Sequence, residues 1–349
     1  MALLALRGKL FEFFVEKILL TCGFYPVRKD NLLVYEGSAG TMVQGLGQPH
    51  NADVLVSPPI QTPFYFPTRL IVECKCYDNP VGLPIIRNAL GMREDINHFD
   101  IVTEEILENR KSSRTTCIKS FPIKRYNYQV AVASYNGFKN TAFPFAQAHR
   151  IPLISFFQSH LFDPIHEYMI KIEEEAEKDE VFKNKIITFL RDNREQVFYS
   201  QLPNLSNNYF DLFYEELIRL QGKMAVGLLE DGTIIFLVKE TEEYEVLHSV
   251  EYTDGCSIHW ADQASAWKLK SNKEVYYFEL PREIYNQWIS YVGSERQAAL
   301  RIKQQFFSKI VIFHNQHQNI DSIDGKNIEI IKLSDTFMRE AERHLHADE

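Results

Sequence analysis

Residues 70 to 77 read Leu-Ile-Val-Glu-Cys-Lys-Cys-Tyr, an apolar, strand-like run in which two charges, Glu73 and Lys75, stand two positions apart. The period of a strand puts both on one face, with Cys74 and Cys76 on the other. A buried strand seldom carries Glu and Lys, because taking either charge out of water costs several kcal/mol unless it is paired or binds a metal. The pair therefore asks for a reason.

A third group lies upstream. The run His50-Asn51-Ala52-Asp53-Val54-Leu55-Val56 places Asp53 at the head of a second β-branched segment. Asp53, Glu73 and Lys75 together suit a divalent-metal site with an adjacent cation, the combination that phosphodiester hydrolysis needs. Two hard carboxylates match Mg²⁺ or Mn²⁺, which keeps several waters and takes further contacts from substrate phosphate. Such an ion makes water a better nucleophile and offsets charge developing in the transition state. Lys75 has three roles open to it: orienting the water, deprotonating it, or stabilising the developing charge. The competing reading of Glu-x-Lys is a solvated strand face, where the pair is worth at most about 1 kcal/mol.

Four segments in order resemble the Mrr-like restriction endonucleases of the PD-(D/E)XK superfamily. The first is Gly8-Lys9-Leu10-Phe11-Glu12 with Leu19-Leu20 and Gly23-Phe24, and the second is Gly45-Leu46-Gly47 leading to Asp53. The third is Val72-Glu73-Cys74-Lys75 followed by Pro80-Val81-Gly82 and Ile86 to Gly91, and the fourth runs from Gln129 to Ser134 and on to Ile151-Pro152-Leu153. The resemblance spans roughly residues 6 to 157. It implies an α/β restriction-endonuclease-like core with a central mixed β-sheet flanked by helices. It also implies catalytic roles for Asp53, Glu73, Lys75 and Glu12, with Asp53, Glu73 and the Cys74 backbone carbonyl holding the metal. Two features depart from the pattern: Ala52 stands where the superfamily has proline, and the 19 residues between Asp53 and Glu73 include four prolines. That longer connection leaves the two strand ends free to meet.

Two residues keep alternative readings. His50 either touches the metal site or a phosphate, or is a turn histidine hydrogen-bonded to backbone. Glu12 either completes the site or is a solvated position near the start of a mostly apolar helix.

Charge divides the chain. Residues 1–157 hold 17 Lys and Arg against 13 Asp and Glu, a net of +4, whereas residues 158–349 hold 21 against 34, a net of −13. The half with the candidate site is the basic one, as expected if a polyanion such as DNA approaches it. Within it, Arg110, Lys111, Arg114 and Lys119, with Lys124 and Arg125, form a basic connection suited either to phosphate contact or to plain solvation. The five cysteines lack paired spacing and read as core or free thiols, which points to a reducing, cytoplasmic setting. Lys9, Glu12, Glu16 and Lys17 interrupt the apolar N-terminal stretch, so neither a signal peptide nor a membrane helix is expected.

Three regions are expected: a nuclease-like domain at 1–157, a helical region at 158–221 broken near Pro203, and an α+β accessory domain at 222–349. Strands are expected at Met224–Leu229 and Thr233–Val238 around a Glu-Asp-Gly turn, then at Tyr244–Val250, Ser265–Lys270 and Val275–Leu280. A helix from Arg282 to Tyr291, strands at Ile310–Phe313 and Ile328–Leu333, and a C-terminal helix follow. The aromatics of the β-unit, Trp260, Trp267, Tyr276, Tyr277 and Phe278, either stack on a base or pack a core. With a charge of −13, this half is better suited to binding a partner protein or a second copy than to gripping DNA, and it could restrain the nuclease by covering its basic face. No phosphate-binding glycine loop, nucleophile elbow or zinc-hydrolase histidine pair occurs. The expectation is a Mg²⁺- or Mn²⁺-dependent endodeoxyribonuclease acting in restriction or defence. The alternatives are a catalytically silent nuclease-like component of a larger complex and an RNA or structure-specific nuclease.

Overall fold

The computed structural model describes residues 2–30, 33–37, 40–59, 61, 66–99, 125–192, 208–230, 232–239, 248–251, 256–261, 266–271, 274–281, 307–313 and 328–332. The chain opens with helix α1, Ala2–Thr21. From Leu10 to Cys22 every side chain is buried, so this is an interior helix rather than one with a wet face. It ends at Gly23, whose φ of +89° only glycine adopts freely, while the amides of Gly23 and Phe24 reach back to the Leu20 and Leu19 carbonyls.

A mixed sheet of five strands follows, in the order β1-β5-β6-β7-β8. Its members are β1 (Tyr25–Pro26), β5 (Val54–Ser57), β6 (Thr68–Lys75), β7 (Asn127–Ser134) and β8 (Leu153–Ser155). The β1/β5 and β5/β6 pairs are antiparallel, whereas β6/β7 and β7/β8 are parallel. A small antiparallel sheet of β2 (Val34–Gly37), β3 (Gly40–Val43) and β4 (His50–Ala52) precedes β5.

The pleat of β6 sorts its residues. Leu70, Val72, Cys74 and Cys76 join the core around α1, while Ile71 faces a second core built with helices α2 (Leu83–Asn97) and α3 (Ala142–Ala148). Helices therefore flank the mixed sheet on both faces. Pro84 in the first turn of α2 supplies a fixed φ where no backbone donor is needed.

The helical region forms α4 (Asp163–Ala176), α5 (Glu180–Asp192) and α6 (Asn208–Arg219). All three pack on α1, and a single apolar core runs from α1 and β6 through these helices to the next sheet. Each fully buried phenylalanine there contributes roughly 1.5–3 kcal/mol. Phe14 meets Phe156 at 5.0 Å and Phe162 at 5.5 Å, and Phe156 stacks on Phe236 at 5.8 Å.

The C-terminal half forms an eight-stranded sheet, larger than the small β-unit expected. Its order is β11-β12-β13-β14-β10-β9-β15-β16, and every pairing is antiparallel. The strands are β9 (Met224–Leu229), β10 (Ile234–Lys239), β11 (His248–Glu251), β12 (Ser257–Ala261), β13 (Ala266–Lys270), β14 (Val275–Phe278), β15 (Lys309–Phe313) and β16 (Ile328–Lys332). Strand β12 was not expected, and β15 and β16 extend this same sheet by pairing onto β9. The helices expected at 282–291 and at the C-terminus lie outside the described residues. Tyr276, Tyr277 and Phe278 are buried, and Trp267 stacks on Phe278 at 6.5 Å, which makes these rings core members.

Where the two sheets meet, Glu279 accepts hydrogen bonds from the Ser159 hydroxyl at 2.5 Å and the His160 amide at 2.9 Å. Burial raises its carboxyl above the ordinary value against those bonds. A cavity of about 230 Å³ lies along this seam, lined by Phe157, Phe236, Trp267 and Glu279 among others. Since its carboxylate is already engaged, the cavity is a packing seam, and the clustered charges lie elsewhere. Among the described residues no helix is long and apolar enough to cross a membrane.

Candidate active site

The charged face of β6 carries the cluster. The β5/β6 pairing sets Val54 opposite Val72, so the same register brings Asp53, one residue before β5, to the level of Glu73. The Cys74 amide donates to Asp53 Oδ2 at 2.9 Å, which pins that carboxylate to the strand. Lys75 Nζ lies 3.6 Å from Asp53 Oδ2 and pairs closely with Glu73 Oε1. The parallel neighbour β7 lays Val132 beside Glu73 and Ser134 beside Lys75, so the cluster stands at the end of the parallel portion of the sheet.

Electrostatics distinguish the two acids from an ordinary salt bridge. Burial, then the Asp53 charge, raises the Glu73 carboxyl above its usual value, against the opposing pull of Lys75 and His50. Burial works against the Lys75 ammonium, yet the Glu73 and Asp53 carboxylates outweigh it and hold Lys75 above its usual value. Lys75 therefore stands against both acids, within reach of all three roles: orienting the water, deprotonating it or stabilising the developing charge. On the dry face, burial holds the Cys74 thiol well above its usual value and pushes Cys76 up to about 12, so both are inert thiols. The free cysteines Cys22, Cys74, Cys76 and Cys256 are all buried, and Cys117 lies outside the described residues.

Glu12 is not the solvated position that its place near the helix start suggested. It is 8% exposed, because α1 is covered by the sheet on one side and by α4 to α6 on the others. Lys9 pairs with it at 2.7 Å, and its charge reaches Cys74. It borders the site from the α1 side of β6, whereas Asp53, Glu73 and Lys75 meet directly. Arg110, Lys111, Arg114 and Lys119 lie outside the described residues.

His50 is not a backbone-bound turn histidine. It stands on β4, and its Nε2 meets Asp95 Oδ2 at 2.7 Å. Asp95, in the last turns of α2, is a site residue that the sequence pattern did not disclose. Its Oδ1 accepts from the Gly47 amide at 2.9 Å, and its backbone carbonyl accepts from Leu46 at 3.0 Å. A Cβ on Gly45 would stand 2.2 Å from Asp95 Oδ2 and 2.8 Å from His50 Cδ2, so only glycine lets the loop close over this pair. The glycine-rich stretch read as a turn toward Asp53 is thus also a clasp on α2.

Among the described residues no group of three or more His, Cys, Asp or Glu side chains is assembled as a metal cage. Asp53 and Glu73 supply two hard donors side by side, which is what a cation that retains most of its waters asks of a protein. The mutual repulsion that raises Glu73 is also what a divalent cation relieves.

No family model matches this chain, and no curated protein matches it. Among solved structures, the crystal structure of a protein of unknown function, AF1548, matches 60% of this chain and 95% of its own length, at 13% identity and a TM-score of 0.31. A likeness at that level carries no argument.

Proposed function

We propose that this chain is a metal-dependent endodeoxyribonuclease with a restriction-endonuclease-like core. The observation that carries the reading is the convergence of Asp53, Glu73 and Lys75 on one face of β6, with Lys75 against both carboxylates. Asp53, Glu73 and the Cys74 carbonyl would hold Mg²⁺ or Mn²⁺, which when bound makes a water more acidic and neutralises phosphate charge. The Cys74 amide keeps Asp53 in place as a ligand, and Lys75 is placed to stabilise the negative charge that builds on the phosphate. The net charge of +4 over residues 1–157 favours a polyanion at this half, and the −13 half serves a partner protein or a second copy. A role in restriction or defence follows from the Mrr-like resemblance.

One observation favours a second reading, a catalytically silent DNA- or protein-binding component. Lys75 and the Cys74 amide themselves engage the two carboxylates, as a structural network would. Incubation of the purified protein with plasmid and phage DNA in Mg²⁺, Mn²⁺ or EDTA separates the two. Divalent-dependent cleavage is expected, with Lys75→Ala lowering it by about 10²–10³-fold, the loss typical of removing one charge-stabilising group, and Asp53→Ala abolishing it. Intact substrate throughout, with DNA binding indifferent to both substitutions, would favour the silent component.

A further inference from the structure

We propose that His50, oriented by Asp95, is the general base of this site and takes the proton of the attacking water on its ring nitrogen Nδ1. The inference deepens the nuclease reading and rests on it.

His50 and Asp95 form a histidine–carboxylate pair at 2.7 Å beside the strand that leads into Asp53. Asp95 is a settled carboxylate: the His50 hydrogen bond, then the Gly47 amide, hold it below the usual range. Facing such an acceptor, His50 Nε2 carries the hydrogen, and in the neutral ring Nδ1 then bears the free lone pair. Among the described residues Nδ1 has no hydrogen-bond partner, and the side chain keeps 21% of its exposure, enough for a water to reach it. A histidine whose other nitrogen donates to a fixed carboxylate has its tautomer and direction set, and the imidazolium it forms is stabilised.

The placement agrees. His50 is three residues from Asp53 on the strand that leads into it, and β4 packs beside β6. In the step, the water O–H bond breaks and its proton passes to Nδ1, while the water oxygen forms a bond to phosphorus. The bond from phosphorus to the leaving sugar oxygen breaks, and solvent protonates that oxygen. No electrons change hands beyond these pairs. The clasp of Gly45 and Gly47 on Asp95 is what keeps the base in line.

The test is steady-state cleavage of plasmid DNA in Mg²⁺ across pH, for the full-length wild type, His50→Gln, His50→Ala with and without imidazole, and Asp95→Asn. The expected result is a kcat lower by about 10²–10⁴-fold in His50→Gln, with KM little changed. The acid limb of the kcat profile disappears, and imidazole restores His50→Ala but not Lys75→Ala. Nitrogen NMR of the free protein should show Nδ1 unprotonated at high pH, and Asp95→Asn should disturb that tautomer and lower kcat. Wild-type cleavage matched by His50→Gln and Asp95→Asn would overturn the base and leave the nuclease standing. Loss of kcat with an unchanged acid limb and no imidazole rescue would reduce His50 to a support for β4 and overturn it likewise. A wild type that cleaves nothing overturns both readings together.

Discussion

Two sets of buried charges lie within a few strands of each other, and they are handled in opposite ways. On α1, Glu16 is fully buried and meets Arg28, which also reaches the Thr41 hydroxyl at 3.4 Å. There a buried carboxylate is held by a guanidinium. On β6, two acids lie against one lysine, and burial, then the neighbouring Asp53 charge, raises the Glu73 carboxyl. A carboxylate held by a guanidinium is a means of burying charge, whereas two carboxylates crowded against one ammonium also form a place where a cation is welcome. The difference separates a structural pair from a site.

The largest effect expected follows from where α1 sits. Removing everything after residue 160 would strip Phe13 of Phe189 and Tyr214, both 6.4 Å away, and would strip the whole helix of α4 to α6. The fragment is expected not to fold, giving no cooperative unfolding transition by circular dichroism. The test of restraint by the acidic half therefore needs surface charge changes in the intact chain rather than truncation.

Next is Arg28→Ala. It removes the guanidinium that the buried Glu16 meets, at a cost of about 3–5 kcal/mol in urea unfolding. Replacing both members, as Glu16→Leu with Arg28→Met, should recover most of that. Lys75→Ala inverts the pattern, since its main loss is in cleavage. If Arg28→Ala instead leaves stability intact, the α1 pair is not the structural counterpart drawn above.

A buried group outside both sets gives a third measure. His166 on α4 sits edge-on to Tyr135 at 4.9 Å and Phe14 at 6.1 Å, and its Nε2 has no partner among the described residues. Burial lowers it from 6.5 to about 4, with Asp163 opposing and losing. The unfolded chain binds the proton more tightly between those values, so stability is complete above pH 6.5 and falls as the pH drops toward 4. The full loss approaches about 3 kcal/mol. His166→Phe should flatten that dependence in unfolding midpoints measured from pH 7 to pH 4. An unchanged slope would show that the acid sensitivity belongs to other groups.

The alternation of β6 was legible in the sequence because a period of two is local: Cys74 and Cys76 fall on one face and Glu73 and Lys75 on the other, as read. Strands β9, β13 and β14 were legible for the same reason, within a residue or two at each end. What escaped reading depends on packing between distant segments. Asp95 reaches His50 across 45 residues, and no spacing rule connects a helix end to a glycine turn that far upstream. The burial of Glu12, Glu16 and Lys17 escaped because the charges mark a wet face only when a helix has one, and α1 is covered on every side by elements up to 200 residues away. Strand β12 escaped because its short Ser-Ile-His-Trp-Ala run gains its identity from β11 and β13 on either side.

The smallest effect tests the comparison most directly. If Asp53 and Glu73 hold a cation, Mg²⁺ must bind the folded chain and stabilise it without any substrate present. At ten times its Kd an ion that binds only the folded state adds roughly 1.4 kcal/mol, a shift of a few degrees in Tm for a chain of this size. Asp53→Asn should abolish the shift, while Glu16→Gln, which also removes a buried acid, should leave it in place on a less stable protein. A wild-type Tm indifferent to Mg²⁺ and Mn²⁺ would place Asp53, Glu73 and Lys75 beside Glu16 and Arg28 as a structural set, because an ion that binds only the folded state must stabilise it.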